Sequence, residues 1–91
     1  MELEKAFGET IRLARKAAKL SQEELAEALG IQAPAVSRLE RGAVSPSLRT
    51  INRLATVLGF APSALLQQAE QLQAFAKGRP ATQTARKRSR A

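Results

Sequence analysis

The side chains of this sequence exclude most catalytic chemistry before any fold is considered. The 91 residues contain no Cys and no His, and all eight acidic residues are Glu. These absences remove disulfides, thiolate zinc sites and imidazole bases, so no metal and no cofactor is expected. The carboxylates fall on solvated helix faces or at helix caps, which makes an enzyme the least favoured class. The chemistry that remains is hydrogen bonding by Arg, Gln and Ser.

The segment from Ser21 to Gly42 is the part of the chain that must position such donors. Ser21 and Glu24 have the spacing of a capping box, in which each side chain accepts the other residue's backbone N–H at a helix start. Gly30 can take the left-handed conformation that ends a helix. A second helix is predicted from about Ala33 to Glu40. Two short helices joined by a glycine turn are typical of the helix-turn-helix, whose second helix enters the DNA major groove.

Hydrophobic periodicity predicts three further helices, so the fold class is all-α. The first runs from about Leu3 to Ala18, the fourth follows the cap Ser47, and the fifth begins at Pro62. The inward-facing residues include Phe7, Ile11, Ala14, Ala18, Leu48, Ile51, Leu54, Ala55, Leu58 and Phe60.

The central segment resembles the phage-repressor (Xre/Cro-type) helix-turn-helix family over roughly Phe7 to Leu66. The resemblance implies a compact five-helix repressor-like domain at residues 1–66. Residues 67–77 then extend the fifth helix, and residues 78–91 form a disordered basic tail. The matching residues are Leu20-Ser21-Gln22-Glu23-Glu24-Leu25-Ala26, Gly30-Ile31, Val36-Ser37-Arg38-Leu39-Glu40-Arg41-Gly42, Pro46-Ser47-Leu48, Leu54-Ala55 and Leu58-Gly59.

The resemblance implies that the start and the exposed face of the third helix meet base edges. The residues concerned are Gln32, Ala33, Pro34, Ser37 and Arg38. Gln can bond adenine and Arg can bond guanine through two hydrogen bonds each. Ala33 stands where relatives often carry a polar residue. With Pro34 it forms an apolar helix tip that either presses on thymine methyl groups or is only a rigid helix start, and both interpretations stay open.

The resemblance also implies phosphate contacts and one structural ion pair. Relatives pair an Arg of the first helix with a Glu at the end of the third, which places Arg15 against Glu40 here. Relatives also often carry Gly or Asn at the position of Lys19, so a slightly strained helix end is implied there. Free N–H groups at a helix start attract phosphate, and such contacts fix register and carry little sequence information. The expected phosphate contacts are Gln22, Arg41, Ser45 and Ser47.

The fifth helix keeps its apolar face through Ala76, beyond what a compact domain needs. A homodimer is therefore expected, with Leu65, Ala69, Leu72 and Phe75 at its interface. Two-fold pairing would place two recognition helices roughly 34 Å apart and require a palindromic site.

The net charge of +7 is concentrated at the end of the chain. Residues 1–76 carry nine basic and eight acidic side chains, whereas residues 77–91 carry six basic side chains and no acidic one. The tail is expected to add non-specific DNA affinity or to be inert.

The function predicted from the sequence is a sequence-specific regulator of double-stranded DNA, in particular a repressor. A phage or prophage regulator, a restriction–modification controller and an antitoxin that also binds a toxin share this domain. RNA binding is disfavoured because the chain has no Trp or Tyr, so a base-stacking platform is missing. The absence of a long apolar run and of an apolar signal core predicts neither membrane contact nor export. Together with the family resemblance, this implies a cytoplasmic, nucleoid-associated bacterial or phage protein.

Overall fold

Five α-helices make up the part of the chain that the computed structural model describes, residues 1–76. The all-α fold predicted from the sequence is confirmed, and within residues 1–76 there is no strand. None of these helices is long and apolar enough to cross a membrane. The predictions for Lys77 and for the tail at 78–91 lie outside the described residues. The helices are α1 (Leu3–Ala17), α2 (Gln22–Leu29), α3 (Ala33–Glu40), α4 (Leu48–Leu58) and α5 (Pro62–Ala76).

Local capping signals set the ends of these helices. The Ser21 hydroxyl accepts the Glu24 N–H at 3.0 Å, and the Glu24 carboxylate accepts the Ser21 N–H at 2.8 Å, which completes the predicted capping box. Gly30 ends α2 with φ at +72°. Lys19, just after α1, has φ at +62°, so the expected strain is present in a residue with a Cβ.

Every helix contributes a fully buried side chain to one core. α5 packs along α1, and both α3 and α4 pack on α1. α2 packs against α3 and α4, so it is linked to the long helices through these two. The largest of these fully buried side chains are Ile11, Leu25, Val36, Leu54 and Leu65.

The predicted dimer stripe is wrong for Leu65 and Ala69. Both are completely buried within the described chain, because α5 packs its apolar face on its own α1. Leu72 is half-buried against the same core, whereas Phe75 is 78 % exposed. Since Ala69 belongs to the core, the domain boundary predicted at residue 66 falls too early.

Three of the residues expected to face inward do not. Leu48 is 81 % exposed because it is the first residue of α4 and lies one turn before Ile51, the first buried residue of that helix. Phe60 is 36 % exposed in the turn after α4, and Ala18 is exposed just beyond the end of α1.

Candidate nucleic-acid interface

The helix α3 has an inner face locked into the protein and an outer face open to solvent. Val36, Leu39 and Glu40 are buried. Pro34 and Arg38 are exposed, and residues four apart lie on the same side of a helix. The start of α3 therefore presents an apolar ring and a guanidinium on one continuous surface.

The two predicted base readers with forked side chains are both available. Arg38 is exposed and takes part in neither of the two ion pairs found in residues 1–76. Gln32 is the N-cap residue of α3, but its side chain makes no capping hydrogen bond. Both side chains can therefore offer donors and acceptors to an external partner such as a base edge.

Ala33 and Ser37 are less accessible than the sequence suggested. Ala33 is half-buried and packs against the core, which favours the helix-start interpretation for this residue. Pro34 is exposed and remains free to contact a thymine methyl group. Ser37 is half-buried on the side of α3 between the core and Arg38.

A buried ion pair joins the end of α3 to α1. The Arg15 Nε donates to Glu40 Oε2 at 2.6 Å, and Nη2 donates to Oε1 at 3.1 Å. A third donor, Nη1, bonds the Leu20 carbonyl at 2.8 Å. The two side chains are only 9 % and 2 % exposed. The hydrogen bonds to Glu40 raise the pKa of Arg15, and burial opposes that increase in part.

Gln22 belongs to this same network, which the sequence did not suggest. Its Nε2 donates to Glu40 Oε1 at 2.9 Å, so two side chains, one from α1 and one from α2, bond the single carboxylate at the end of α3. Because one amide N–H is committed to Glu40, the Gln22 side chain retains one N–H and its carbonyl oxygen for a phosphate or water.

The other predicted phosphate contacts lie near the ends of α3 and α4. Arg41 and Ser45 are exposed. Ser47 is also exposed, but its hydroxyl caps α4 by accepting the Thr50 N–H at 3.1 Å. At Ser47 the groups that remain for an anion are the backbone N–H groups of the first turn of α4.

Charge is segregated between α2 and the segment that follows it. Glu23, Glu24 and Glu27 are exposed on α2, which carries no basic residue. From residue 31 to residue 61 the only acidic side chain is the buried Glu40. The four Arg side chains of that segment, Arg38, Arg41, Arg49 and Arg53, are all exposed. The surface around α3 and α4 is therefore cationic although residues 1–76 are nearly neutral.

Two glycines at the junction of α1 and α3 have a packing role that was not predicted from the sequence. A Cβ on Gly8 would lie 2.6 Å from the Glu40 carbonyl oxygen and nearer still to that of Leu39. A Cβ on Gly42 would lie 2.6 Å from the Lys5 Cα. A signal was present at Gly8, since a glycine inside a helical pattern is costly and usually has a packing reason.

The comparisons with known proteins agree on one domain. A family model described as a helix-turn-helix domain matches residues 6–69. An uncharacterized HTH-type transcriptional regulator from Methanothermobacter thermautotrophicus is 47 % identical over 49 residues, which are 54 % of this chain and 71 % of that protein.

Two crystal structures of regulators are similar over most of their length. The clp gene regulator ClgR from Corynebacterium glutamicum superposes with a TM-score of 0.83 at 27 % identity, covering 86 % of this chain and 83 % of that one. The restriction-modification controller protein C.AhdI from Aeromonas hydrophila gives a TM-score of 0.64 at 41 % identity, covering 67 % and 92 %. Similarity to HppE in complex with substrate, at 30 % identity, spans only 36 % of that chain.

Proposed function

The chain belongs to the Xre-type helix-turn-helix family of DNA-binding transcriptional regulators, and from this premise we propose that it is a sequence-specific repressor acting as a homodimer on a palindromic operator. In this proposal α3 is the recognition helix. Arg38 and Gln32 bond base edges in the major groove, and Pro34 contacts a thymine methyl group. Arg41, Ser45, the first turn of α4 and the free N–H of Gln22 hold phosphates and fix the register.

The exposed outer face of α3 is the observation that carries this proposal. Arg38 and Pro34 are open to solvent, while Glu40 on the opposite face is held by Arg15. A helix anchored on one side and exposed on the other presents its outward side chains in a fixed geometry. Fixed geometry is required for paired hydrogen bonds to base edges.

A selection of bound fragments from random duplex DNA tests sequence-specific binding. We expect one enriched palindrome with half-sites separated by about 10 base pairs, or roughly 34 Å. Fragments without any shared sequence at physiological salt would contradict the proposal. A single unpaired half-site would retain DNA recognition and contradict the homodimer.

The homodimer is proposed to form through the exposed end of α5. Phe75 is 78 % exposed and Leu72 is half-buried beside it, one helical turn earlier. Burying a Phe side chain stabilises an interface by roughly 1.5–3 kcal/mol. Phe75→Glu should therefore shift sedimentation toward the monomer, whereas the equally exposed apolar control Leu48→Glu should not. Dimers that survive Phe75→Glu would move the interface elsewhere.

The regulated genes are a further part of the proposal. The two similar crystal structures are of a clp gene regulator and a restriction-modification controller, so one domain serves different operons. The 41 % identity to the controller favours a restriction–modification role. Adjacent restriction and methyltransferase genes would support that role, whereas an adjacent toxin gene would support the antitoxin alternative.

The site of action is proposed to be the bacterial cytoplasm at the nucleoid, where operator DNA lies. The basic residues of the 77–91 segment are proposed to add non-specific affinity for the same DNA. Deleting residues 78–91 should reduce the dependence of binding on salt and leave the preferred site unchanged. An unchanged salt slope would mean that the segment does not contact DNA.

A further inference from the structure

Helix α1 meets the last turn of α3 backbone against backbone at Gly8. This glycine is buried in the middle of α1. A Cβ on it would lie 2.6 Å from the Glu40 carbonyl oxygen and 2.8 Å from the Glu40 carbonyl carbon. Ordinary C···O contacts are about 3.3–3.6 Å, so no residue with a Cβ fits without movement of one helix. The obstructing atoms are backbone atoms, which cannot rotate away as a side chain would.

Two further positions on α1 meet the same end of α3. Lys5 lies three residues before Gly8, and its Cα is 2.6 Å from the place of a Cβ on Gly42, just after α3. Arg15 lies seven residues after Gly8, which is two helical turns, and its guanidinium holds the Glu40 carboxylate. α1 therefore meets the end of α3, or the residues just after it, at three positions along its length.

We propose that Gly8 is a positioning residue for DNA recognition, which sets the distance between α1 and the last turn of α3 and thereby the projection of Arg38. The inference rests on the proposed function. α3 has only eight residues, and its hydrogen-bonded backbone moves as one unit. A displacement at Leu39 and Glu40 is therefore transmitted to Arg38, which lies in the same turn.

The shift of α3 that Gly8→Ala would cause is large compared with the distance changes that hydrogen bonds to base edges tolerate. A methyl group at position 8 requires α1 and α3 to separate by several tenths of an ångström to about 1 Å to reach ordinary contact distances. Hydrogen bonds to base edges weaken over such a range, whereas attraction to phosphates changes little. The expected result is lost discrimination between sequences, with general DNA affinity preserved.

The experiment compares Gly8→Ala with Gly59→Ala in a Lys19→Gly background. The Lys19→Gly substitution removes the strain of the positive φ at position 19, which lies away from the junction of α1 and α3. The stability gained there offsets part of the stability that Gly8→Ala loses. Gly59 has φ at +82° and open space where a Cβ would be, so its Ala variant is strained without displacing α3. Anisotropy of labelled duplexes gives affinity for the operator selected by the wild type and for an unrelated duplex.

We expect Gly8→Ala to lower the ratio of the two affinities by at least about tenfold, the size of one lost base contact. Its affinity for the unrelated duplex and its salt slope should remain within about twofold of the background. Gly59→Ala should keep the same ratio of operator affinity to unrelated-duplex affinity as the Lys19→Gly background. A folded Gly8→Ala variant that also keeps it overturns the inference, whereas a wild type without any preferred duplex overturns the proposed function itself.

Folding of the variant is checked by circular dichroism at the assay temperature. Should Gly8→Ala not fold while Gly59→Ala does, Gly42→Ala replaces it, because a Cβ there displaces the same end of α3 from Lys5. A loss of the affinity ratio in folded Gly42→Ala supports the inference. Failure of both variants to fold overturns it, because a residue needed for folding itself is not a positioning residue.

Discussion

The two faces of α3 differ in how strongly the rest of the protein constrains them. On the inner face, Glu40 is held by Arg15 and Gln22, and Gly8 leaves no space beside its carbonyl. On the outer face, Arg38 is exposed and pairs with no acidic residue among residues 1–76. The contrast indicates that packing inside the protein fixes where the helix lies, while the outer side chain of Arg38 has no structural role among residues 1–76.

The largest expected effect comes from breaking the inner face. Glu40→Ala leaves the Arg15 guanidinium buried without its carboxylate, which should lower the free energy of unfolding by about 3–5 kcal/mol. Urea denaturation followed by circular dichroism measures the change. Replacing both partners, with Arg15→Met and Glu40→Leu, should recover most of that loss, because no unpaired charge is then buried.

Arg38→Ala tests the outer face of α3 in the same way, through its effects on stability and on DNA binding. Because Arg38 is exposed and has no ion-pair partner among residues 1–76, its truncation should change the free energy of unfolding by less than about 0.5 kcal/mol. Specific binding should weaken by about 1–3 kcal/mol, with relaxed preference at particular base pairs. Binding that falls equally on every sequence would make Arg38 a phosphate contact instead.

The sequence predicted the parts of α3 that depend on local signals. Pro34 lies in the first turn of α3, and Gly42, with φ at +75°, follows its end, so α3 was predicted with its observed bounds. The family resemblance, which the comparisons confirm, supplied the pairing of Arg15 with Glu40, and the structure brings these two residues together.

The parts that were missed depend on which distant element covers a residue. The apolar stripe of α5 was visible, but nothing local shows that α1 covers Leu65 and Ala69 in the same chain. The bond from Gln22 to Glu40 joins residues 18 positions apart, and a surface amide has many alternative partners. Gly8 is an unfavourable residue inside a helix, which suggests a packing role. Only the folded backbone shows that its missing Cβ lets the end of α3 lie against α1.

A smaller effect is expected at the end of α1, on the scaffold side of the comparison. Lys19 has φ at +62°, a conformation that is unfavourable for a residue with a Cβ but not for glycine. Lys19→Gly should raise the free energy of unfolding by about 0.5–1 kcal/mol, after the greater unfolded-state entropy of glycine is subtracted. DNA affinity should not change. Calorimetry that shows a lower midpoint would mean that contacts of the Lys19 side chain outweigh the strain.

The smallest effect concerns the half-buried ion pair of Glu9 and Arg12 on α1, which contrasts with the fully buried pair of Arg15 and Glu40. Arg12 donates two hydrogen bonds to Glu9 and lowers the pKa of that carboxyl. A lowered folded pKa stabilises the protein above the usual Glu pKa of about 4.3, and this contribution is lost as the pH falls through the folded value. Glu9→Gln should thus differ slightly from the wild type at pH 7 and converge with it as the pH falls below the lowered pKa of Glu9. The control is Glu70→Gln, an exposed residue outside both ion pairs of residues 1–76. A Glu9→Gln deficit that persists at low pH would show that packing of the Glu9 side chain, and not its charge, supports α1.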